Sequence, residues 1–263
     1  MIRPALPRWV AVPAIAAAVF LAIPLLAMLA RVPWARLLAV LAAPAALDAL
    51  LLSLGTCLLS TVVCLLLGLP LAMVLARGRG RWAAVGRTLA TIPMVLPPVV
   101  AGLALLIALG RRSWLGGWLG SVGVDLAFTT GAVVVAQTFV AMPYLVVSVE
   151  GALRSAQDDF AVVAASLGAS PTTVLRRVTL PLVAPSVAAG AALAFARALG
   201  EFGATLTFAG SLQGTTRTLP LEIYLQREAD TDTAIALSVV LIALAAALVG
   251  ATARFARGQG QLS

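Results

Sequence analysis

Charged residues divide the chain into six long uncharged stretches. The stretches cover residues 9–30, 49–76, 88–110, 126–149, 178–196 and 233–253. Each holds about the 20 residues that an α-helix needs to cross a hydrocarbon core about 30 Å thick, since the helix rises about 1.5 Å per residue. The pattern predicts six membrane-spanning helices, and the fifth is placed over 180–206 because a Leu-Pro pair begins it.

Composition agrees with an all-α integral membrane protein that forms one transmembrane domain over 1–263. Hydrophobic residues make up 62% of the chain and the mean hydropathy is +1.06, values far outside the range of soluble domains. The first stretch follows Arg3 and Arg8, as a secretory signal would. It is too long for a signal core and lacks a clear cleavage site before a polar mature domain, so we predict a retained helix.

Arginine sets the predicted orientation, because the chain contains no lysine. With the N-terminus inside, eleven arginines fall on cytoplasmic segments, six on outer loops and one, Arg197, within a span. The positive-inside rule therefore predicts that both termini are cytoplasmic. Because the arginines form no single basic face, the net charge of +8 suits contact with membrane lipid and not with nucleic acid.

Missing residue types exclude several chemistries. Without lysine the chain cannot hold the nucleotide-binding loop GxxxxGK followed by Ser or Thr, and without histidine it has little material for a proton relay. Cys57 and Cys64 are interpreted as apolar packing residues and not as a metal site, and no nucleophile–base pair suggests an enzyme. If the chain is a transporter, it is expected to bind no cofactor itself and to take its energy from another polypeptide.

The third span opens with a proline-rich stretch, TIPMVLPPVVAG, residues 91–102. It contains Pro93, Pro97 and Pro98. Proline removes a backbone donor, and at membrane depth the freed carbonyls need protein or water as partners. A bent helix that faces other helices or a pathway is one interpretation, and a simple packing kink is the other. The prolines alone leave both open.

The longest cytoplasmic segment, 150–181, is predicted to contain two short helices. The first covers about 157–167 and ends at Gly168, and Ser170 then caps a second over 171–178. Apolar residues follow the i, i+3, i+4, i+7 spacing of one helix face at Phe160, Val163, Ala164 and Leu167. Such a face docks either on the lipid interface or in a partner's groove. Helices that lie on lipid usually carry arginine or lysine on the polar side, whereas this one carries Gln157, Asp158 and Asp159. Because anionic lipid would repel this side, a protein partner is favoured.

This segment resembles the cytoplasmic loop of the transmembrane subunits of ABC importers. In that family the loop reads EAA, three residues, Gly, nine residues, Ile, one residue, Leu-Pro. Here nine residues separate Gly168 from Val178, and Leu180-Pro181 follows, whereas Val162 stands in the position of the glutamate. The resemblance implies a type I ABC importer permease fold and a coupling helix that docks on an ATPase subunit. The coupling residues implied are Phe160, Val163, Ala164, Leu167, Gly168, Ala169, Ser170, Val178, Leu180 and Pro181.

A second resemblance lies in residues 195–225, FARALGEFGATLTFAGSLQGTTRTLPLEIYL. This stretch is similar to the fifth-span signature of oxyanion importers, and most of all to that of molybdate permeases. The resemblance implies uptake of molybdate by a permease in the bacterial cell membrane. The partners implied are a second copy of the chain, two cytoplasmic ATPase subunits that use ATP and Mg²⁺, and an extracytoplasmic molybdate-binding protein.

Arg197 and Glu201 lie near the outer end of the predicted fifth helix, about 22 and 28 Å from its start. At i, i+4 they share a face, so a self-neutralising pair packed against other helices is one interpretation. The other is an outer gate, which Gly200 and Gly203 allow to bend or to pack closely.

Glu201 is not expected to bind the transported dianion directly, because a carboxylate would repel it. Neutral hydroxyls are expected along the path instead. The predicted pathway or gate residues are Pro97, Pro98, Arg197, Gly200, Glu201, Phe202, Gly203, Thr205 and Thr207. Transport would proceed by alternating access. A tungstate or sulfate/thiosulfate importer stays open as an alternative, as does an anion carrier or channel that needs no ATP.

Overall fold

The structure, a computed structural model, describes residues 8–155 and 159–259, and the regular elements in those ranges are all helical. A π-helical turn (Leu175–Thr179) joins two of the helices, and 3-10 turns occupy Arg8–Val10 and Trp34–Arg36. The α-helices are α1 (Ala11–Ala30), α2 (Leu37–Leu41), α3 (Pro44–Arg77), α4 (Arg81–Val95), α5 (Pro98–Leu109), α6 (Trp114–Ser121), α7 (Thr130–Ser155), α8 (Asp159–Ser166), α9 (Pro171–Val174), α10 (Leu180–Leu199), α11 (Gly203–Ala209), α12 (Leu219–Ala229) and α13 (Thr231–Gln259).

The predicted third span, 88–110, is two helices whose axes differ by 117°. Leu96 and Pro97 each precede a proline, and the residue before proline is driven from helical to extended backbone. Their ψ angles are 132° and 136°, so α4 ends and α5 begins with Pro98 in its first turn. The interpretation as a simple packing kink was wrong, because two consecutive residues before proline break the helix.

The directions of neighbouring helices show that α4 and α5 together form one broken span. In α3, Cys64 donates to the carbonyl of Thr138 and Gly68 lies against Leu145, so α3 and α7 run in the same direction. The chain between them has to return across the membrane. Five of the described helices are long and apolar enough to span, and counting the bent pair as one span gives the predicted six.

Outside the third and fifth spans, the helix boundaries differ from the predicted span boundaries by no more than six residues. α1 agrees with 9–30, and none of its residues is buried in this chain. The second span begins earlier than predicted, at Pro44. The fourth runs on from 149 to Ser155, and the sixth begins at Thr231.

The fifth span and the helix before it are one continuous helical run, Pro171–Leu199. The sequence predicted that Leu180 and Pro181 begin a separate helix. This prediction was wrong, because the helical run passes through both residues. Pro181 has no N–H to bond the carbonyl of Arg177, and the helix before it is wound as the π turn, which keeps the run unbroken. The run ends at Leu199 and not at 206, because residues 200–202 are not helical.

Three apolar clusters hold the described helices together, and two of them bear on the site. One forms where α3, α7 and α10 meet and contains Cys57 and Cys64, which are fully buried and free. Their predicted role as packing residues is confirmed. The second forms where α5, α7 and α11 meet, around Ala136, Ala204 and Phe208. The second cluster places the proline-rich third span against the segment that follows Arg197.

Candidate functional site

The predicted pathway or gate residues lie in two segments, the proline-rich third span and the residues from Arg197 to Thr207. These segments pack directly on each other through α5 and α11. A Cβ added to Gly102 of α5 would lie 2.7 Å from the backbone oxygen of Ala204 and 2.7 Å from Cβ of Thr207. A Cβ added to Gly203 of α11 would lie 2.7 Å from Cβ of Pro98. Glycine is therefore required on both sides of this contact, since neither the backbone of Ala204 nor the rigid ring of Pro98 can move aside as a flexible side chain can.

Arg197 and Glu201 form an ion pair at the break between α10 and α11. Arg197 Nη1 and Glu201 Oε2 are 2.7 Å apart, although the two groups are not aligned as a hydrogen bond. Only 1% of Glu201 is exposed, and its Oε1 accepts a hydrogen bond from the backbone N–H of Ala204 at 2.8 Å. The carboxylate thus neutralises Arg197 in the last turn of α10 and caps the first turn of α11, where the positive end of the helix dipole favours an anion.

The sequence predicted that Glu201 stands on a continuous fifth helix, and this prediction was wrong. The residue lies in the non-helical residues 200–202, so the depth estimated from a straight helix does not apply to it. The i, i+4 pairing holds because Arg197 reaches past the end of α10. The sequence contains the cause, since Gly200 and Gly203 flank the break, but periodicity alone does not reveal which glycine matters.

The structure separates the two glycines. A Cβ on Gly200 would meet nothing closer than 3.8 Å, and its φ of −87° suits any residue. Close packing therefore requires Gly203 and not Gly200. Between them, Phe202 points to α12, where its ring centroid lies 5.0 Å from that of Tyr224.

The hydroxyls predicted along the path have different surroundings. Thr205 is fully buried within this chain and its Oγ1 has no hydrogen-bond partner among the described residues. Thr207 is half-buried, and its Oγ1 donates to the carbonyl of Gly203 on its own helix. Pro97 and Pro98 are exposed at the bend of the third span. Because Pro98 contacts Gly203, it lies next to the other predicted gate residues.

The predicted caps at Gly168 and Ser170 are confirmed; they lie in residues 157–181, which we call the coupling segment. Gly168 has a φ of +85°, and its N–H and that of Ala169 donate to the carbonyls of Ala165 and Ala164 at the end of α8. Ser170 caps α9 by accepting from the N–H of Thr173. The apolar face of α8 is open, since Phe160 is 66%, Val163 58% and Leu167 83% exposed.

Some of the other residues of the coupling segment belong to the long helical run, and some lie outside the described residues. Val178, Leu180 and Pro181 are half-buried or exposed and belong to the continuous helical run. Gln157 and Asp158 lie outside the described residues, as do the side chains of Asp159 and Val162. Helix α8 and the Glu201 break lie at opposite ends of the Pro171–Leu199 run, which is about 43 Å long at 1.5 Å per residue.

Two buried acids were missed by the sequence reasoning. Glu150, placed at the start of the cytoplasmic segment, belongs to α7 and contacts Arg87. Glu222 of α12 is 1% exposed and pairs with Arg217 at 3.3 Å. Apolar residues on both sides of Glu222 were a usable signal, but only the fold shows which arginine neutralises each acid.

Comparison with known proteins decides the family. Residues 68–258 match the family described as binding-protein-dependent transport system inner membrane component. The chain belongs to this family. Its match begins inside α3 and leaves out α1, the helix with no buried residue. As a member of this inner-membrane transport family, the chain is a multi-pass membrane protein and a transport component, not an enzyme.

Relatives of this inner-membrane component are similar over nearly their whole length. The chain is 59% identical to the molybdenum transport system permease protein ModB of Mycobacterium tuberculosis over 244 residues, 93% of this chain and 92% of that protein. It is 37% identical to the protein of the same name from Escherichia coli over 75% of this chain and 88% of that protein.

Solved structures of ABC importers share the fold. The chain is similar to a bacterial alginate ABC transporter in complex with an alginate pentasaccharide-bound periplasmic protein, with a TM-score of 0.74, 16% identity and coverage of 94% of this chain and 92% of that one. At this identity the likeness shows the fold alone. It confirms the predicted type I importer permease fold.

Proposed function

We propose that this chain is the permease subunit of an ATP-driven importer that moves molybdate into the cytoplasm. The observation that carries the substrate is the 59% identity to a molybdenum permease over 93% of the chain. A sulfate importer is disfavoured by the same observation.

The open face of α8 supports docking on a separate ATPase subunit. A short capped helix with an apolar face is the form that inserts into a partner's groove. We place α8 on the cytoplasmic side, together with both termini, because the positive-inside rule assigns them there. The ATPase uses ATP and Mg²⁺, and this chain binds neither.

A full importer on this proposal contains two copies of the chain, two ATPase subunits and an extracytoplasmic molybdate-binding protein. Closure of the ATPases moves the two coupling segments toward each other, and the outer and inner gates open in turn. The break at residues 200–202 and the bend at Leu96–Pro97 are points where a span can change direction without disrupting a continuous helix.

Glu201 supports the gate and does not bind the ion. Both of its oxygens are engaged, one with Arg197 and one with the N–H of Ala204, and the side chain is buried. A dianion approaching a carboxylate would be repelled, whereas the pair as a whole is neutral. Neutralisation at this point lets an anion pass without a tight site that would slow its release.

Uptake of radiolabelled molybdate tests the proposal. The chain is reconstituted in vesicles with its ATPase and binding protein, and tungstate and sulfate compete in separate reactions. We expect uptake that requires ATP and that tungstate inhibits better than sulfate. Uptake without ATP would contradict the ATP-driven importer, and better inhibition by sulfate would contradict molybdate as the substrate.

Leu167→Asp is expected to release the ATPase without unfolding the chain. The side chain is exposed, so a carboxylate in its place costs the isolated chain within about 0.5 kcal/mol, whereas it would be buried in an apolar groove of the partner. Co-purification of the ATPase with tagged chain is expected to fall at least about tenfold, which corresponds to about 1.4 kcal/mol.

Val122→Asp is the matched control for the coupling face. Val122 is also an exposed aliphatic residue, 60% exposed, but it follows α6 and lies on a different loop. This variant is expected to retain the ATPase. Equal loss of the ATPase in both variants would mean that the apolar face of α8 is not the docking surface.

A further inference from the structure

Arg87 joins three helices at the end of the bundle that carries the coupling segment. It stands on α4, its Nε contacts the carboxylate of Glu150 on α7, and its Nη2 donates to two carbonyls of α3. These are the carbonyls of Leu75 at 2.7 Å and Gly78 at 3.1 Å, in the last turn and cap of α3. A cation at this position also interacts favourably with the negative end of the helix dipole.

Arg87 is the main partner of Glu150. The Glu150 carboxylate is largely buried, and the side chain of Arg87 is 26% exposed. Arg154 of the same helix is a second cation, but it lies 3.9 Å away and is about half exposed. Because charge pairs are less screened when they are buried, the contact with Arg87 governs where the carboxylate sits.

The position of the pair links the two functional regions. Glu150 lies in the last turns of α7, the helix that leads into the coupling segment at α8. Arg87 lies in the middle of α4, which ends at the Leu96–Pro97 bend. Beyond the bend, α5 carries the contacts with α11 at Gly102 and Gly203.

We propose that Arg87 and Glu150 are a positioning pair that transmits movement of the coupling segment to α4, and through the bend to the contact between α5 and α11. The inference rests on the proposed function, since it assigns a role within ATP-driven transport. Arg87 suits this role because its planar guanidinium holds a carboxylate and two carbonyls at once, which fixes the relative position of three helices.

A static brace is the competing account of the same contacts. A brace that only holds the fold would lower the yield and thermal stability of its variants, but each folded complex would still import one molybdate for the same amount of ATP. A transmitting pair changes that ratio. The ratio of ATP hydrolysed to molybdate imported therefore separates the two accounts.

The experiment uses the full transporter in vesicles, with Arg87→Gln, Glu150→Gln, the double variant and Arg87→Lys. Each single neutral variant is expected to raise the ratio of ATP hydrolysed to molybdate imported by about fivefold, within the range by which residues between coupled sites alter coupling. The double variant is expected to be no worse than either single one, because the pair acts as a unit. Arg87→Lys keeps the charge but not the three-way contact, so we expect an intermediate ratio.

Arg111→Gln is the matched control. Arg111 pairs with Asp125 at 3.0 Å, but both side chains are exposed and neither lies at the coupling segment. The ratio of ATP hydrolysed to molybdate imported in the Arg111→Gln variant is expected to equal that of the wild type. A wild-type ratio in Arg87→Gln and Glu150→Gln complexes would overturn the pair's role, and so would independent, multiplying effects in the double variant. Absence of ATP-dependent uptake by the wild type would overturn the proposed function, and the pair's role with it.

Discussion

Gly203→Ala and Gly102→Ala are expected to abolish most transport by forcing α5 and α11 apart. A Cβ at either position would lie 2.7 Å from atoms of the other helix, among them the backbone oxygen of Ala204. Overpacking of this kind costs about 1–3 kcal/mol. We expect a lower midpoint of thermal unfolding in detergent and a fall in molybdate uptake of at least about tenfold, since 1.4 kcal/mol changes an equilibrium tenfold.

Gly200→Ala is the matched control, because it lies three residues away at the same break. A Cβ there has space, and the φ of −87° is open to alanine. Stability and uptake are expected to stay close to those of the wild type. If Gly200→Ala is as damaging as Gly203→Ala, the requirement is for flexibility at the break and not for close packing.

Glu201→Gln is expected to destabilise the chain by about 1–3 kcal/mol, because it leaves the Arg197 guanidinium without its charge partner in a partly buried position. The glutamine oxygen can still accept from the N–H of Ala204, so the cap of α11 survives. Glu201→Ala removes the cap as well and is expected to cost about 1 kcal/mol more. The measurement is thermal unfolding of the purified variants, together with uptake.

Glu228→Gln is the control for charge removal. Glu228 pairs with Arg227 at 3.0 Å, but both side chains are about two-thirds exposed. Exposed pairs contribute about 0–1 kcal/mol, so this variant is expected to behave as the wild type. A Glu201→Gln variant that is equally stable would mean that Arg197 finds another partner or reaches water.

Much of the fold follows from local sequence. Uncharged stretches long enough to cross the bilayer predicted six spans, because each helix satisfies its own backbone hydrogen bonds and needs only apolar side chains toward lipid. The caps at Gly168 and Ser170 were also predictable, since both depend on neighbouring residues alone. The same holds for the resemblance to ABC importer permeases, which the family match confirms.

Local pattern was least informative where spans break. The Leu96–Pro97 bend and the end of α10 at Leu199 both fall inside predicted spans, 88–110 and 180–206. Proline and glycine mark these places in the sequence. The angle of 117° and the choice of Gly203 over Gly200 depend on what lies opposite.

By itself, therefore, the sequence determined the number of spans, the capped coupling segment and the family. Each of these depends on composition or on residues close in the chain. Only the tertiary structure decided that Arg87 meets Glu150, that Glu201 caps α11 and that Gly102 faces Thr207. The first and last of these join residues from different helices, and the second needs a break that periodicity does not show. Packing selects such partners by shape and charge, and these become defined only when the helices meet.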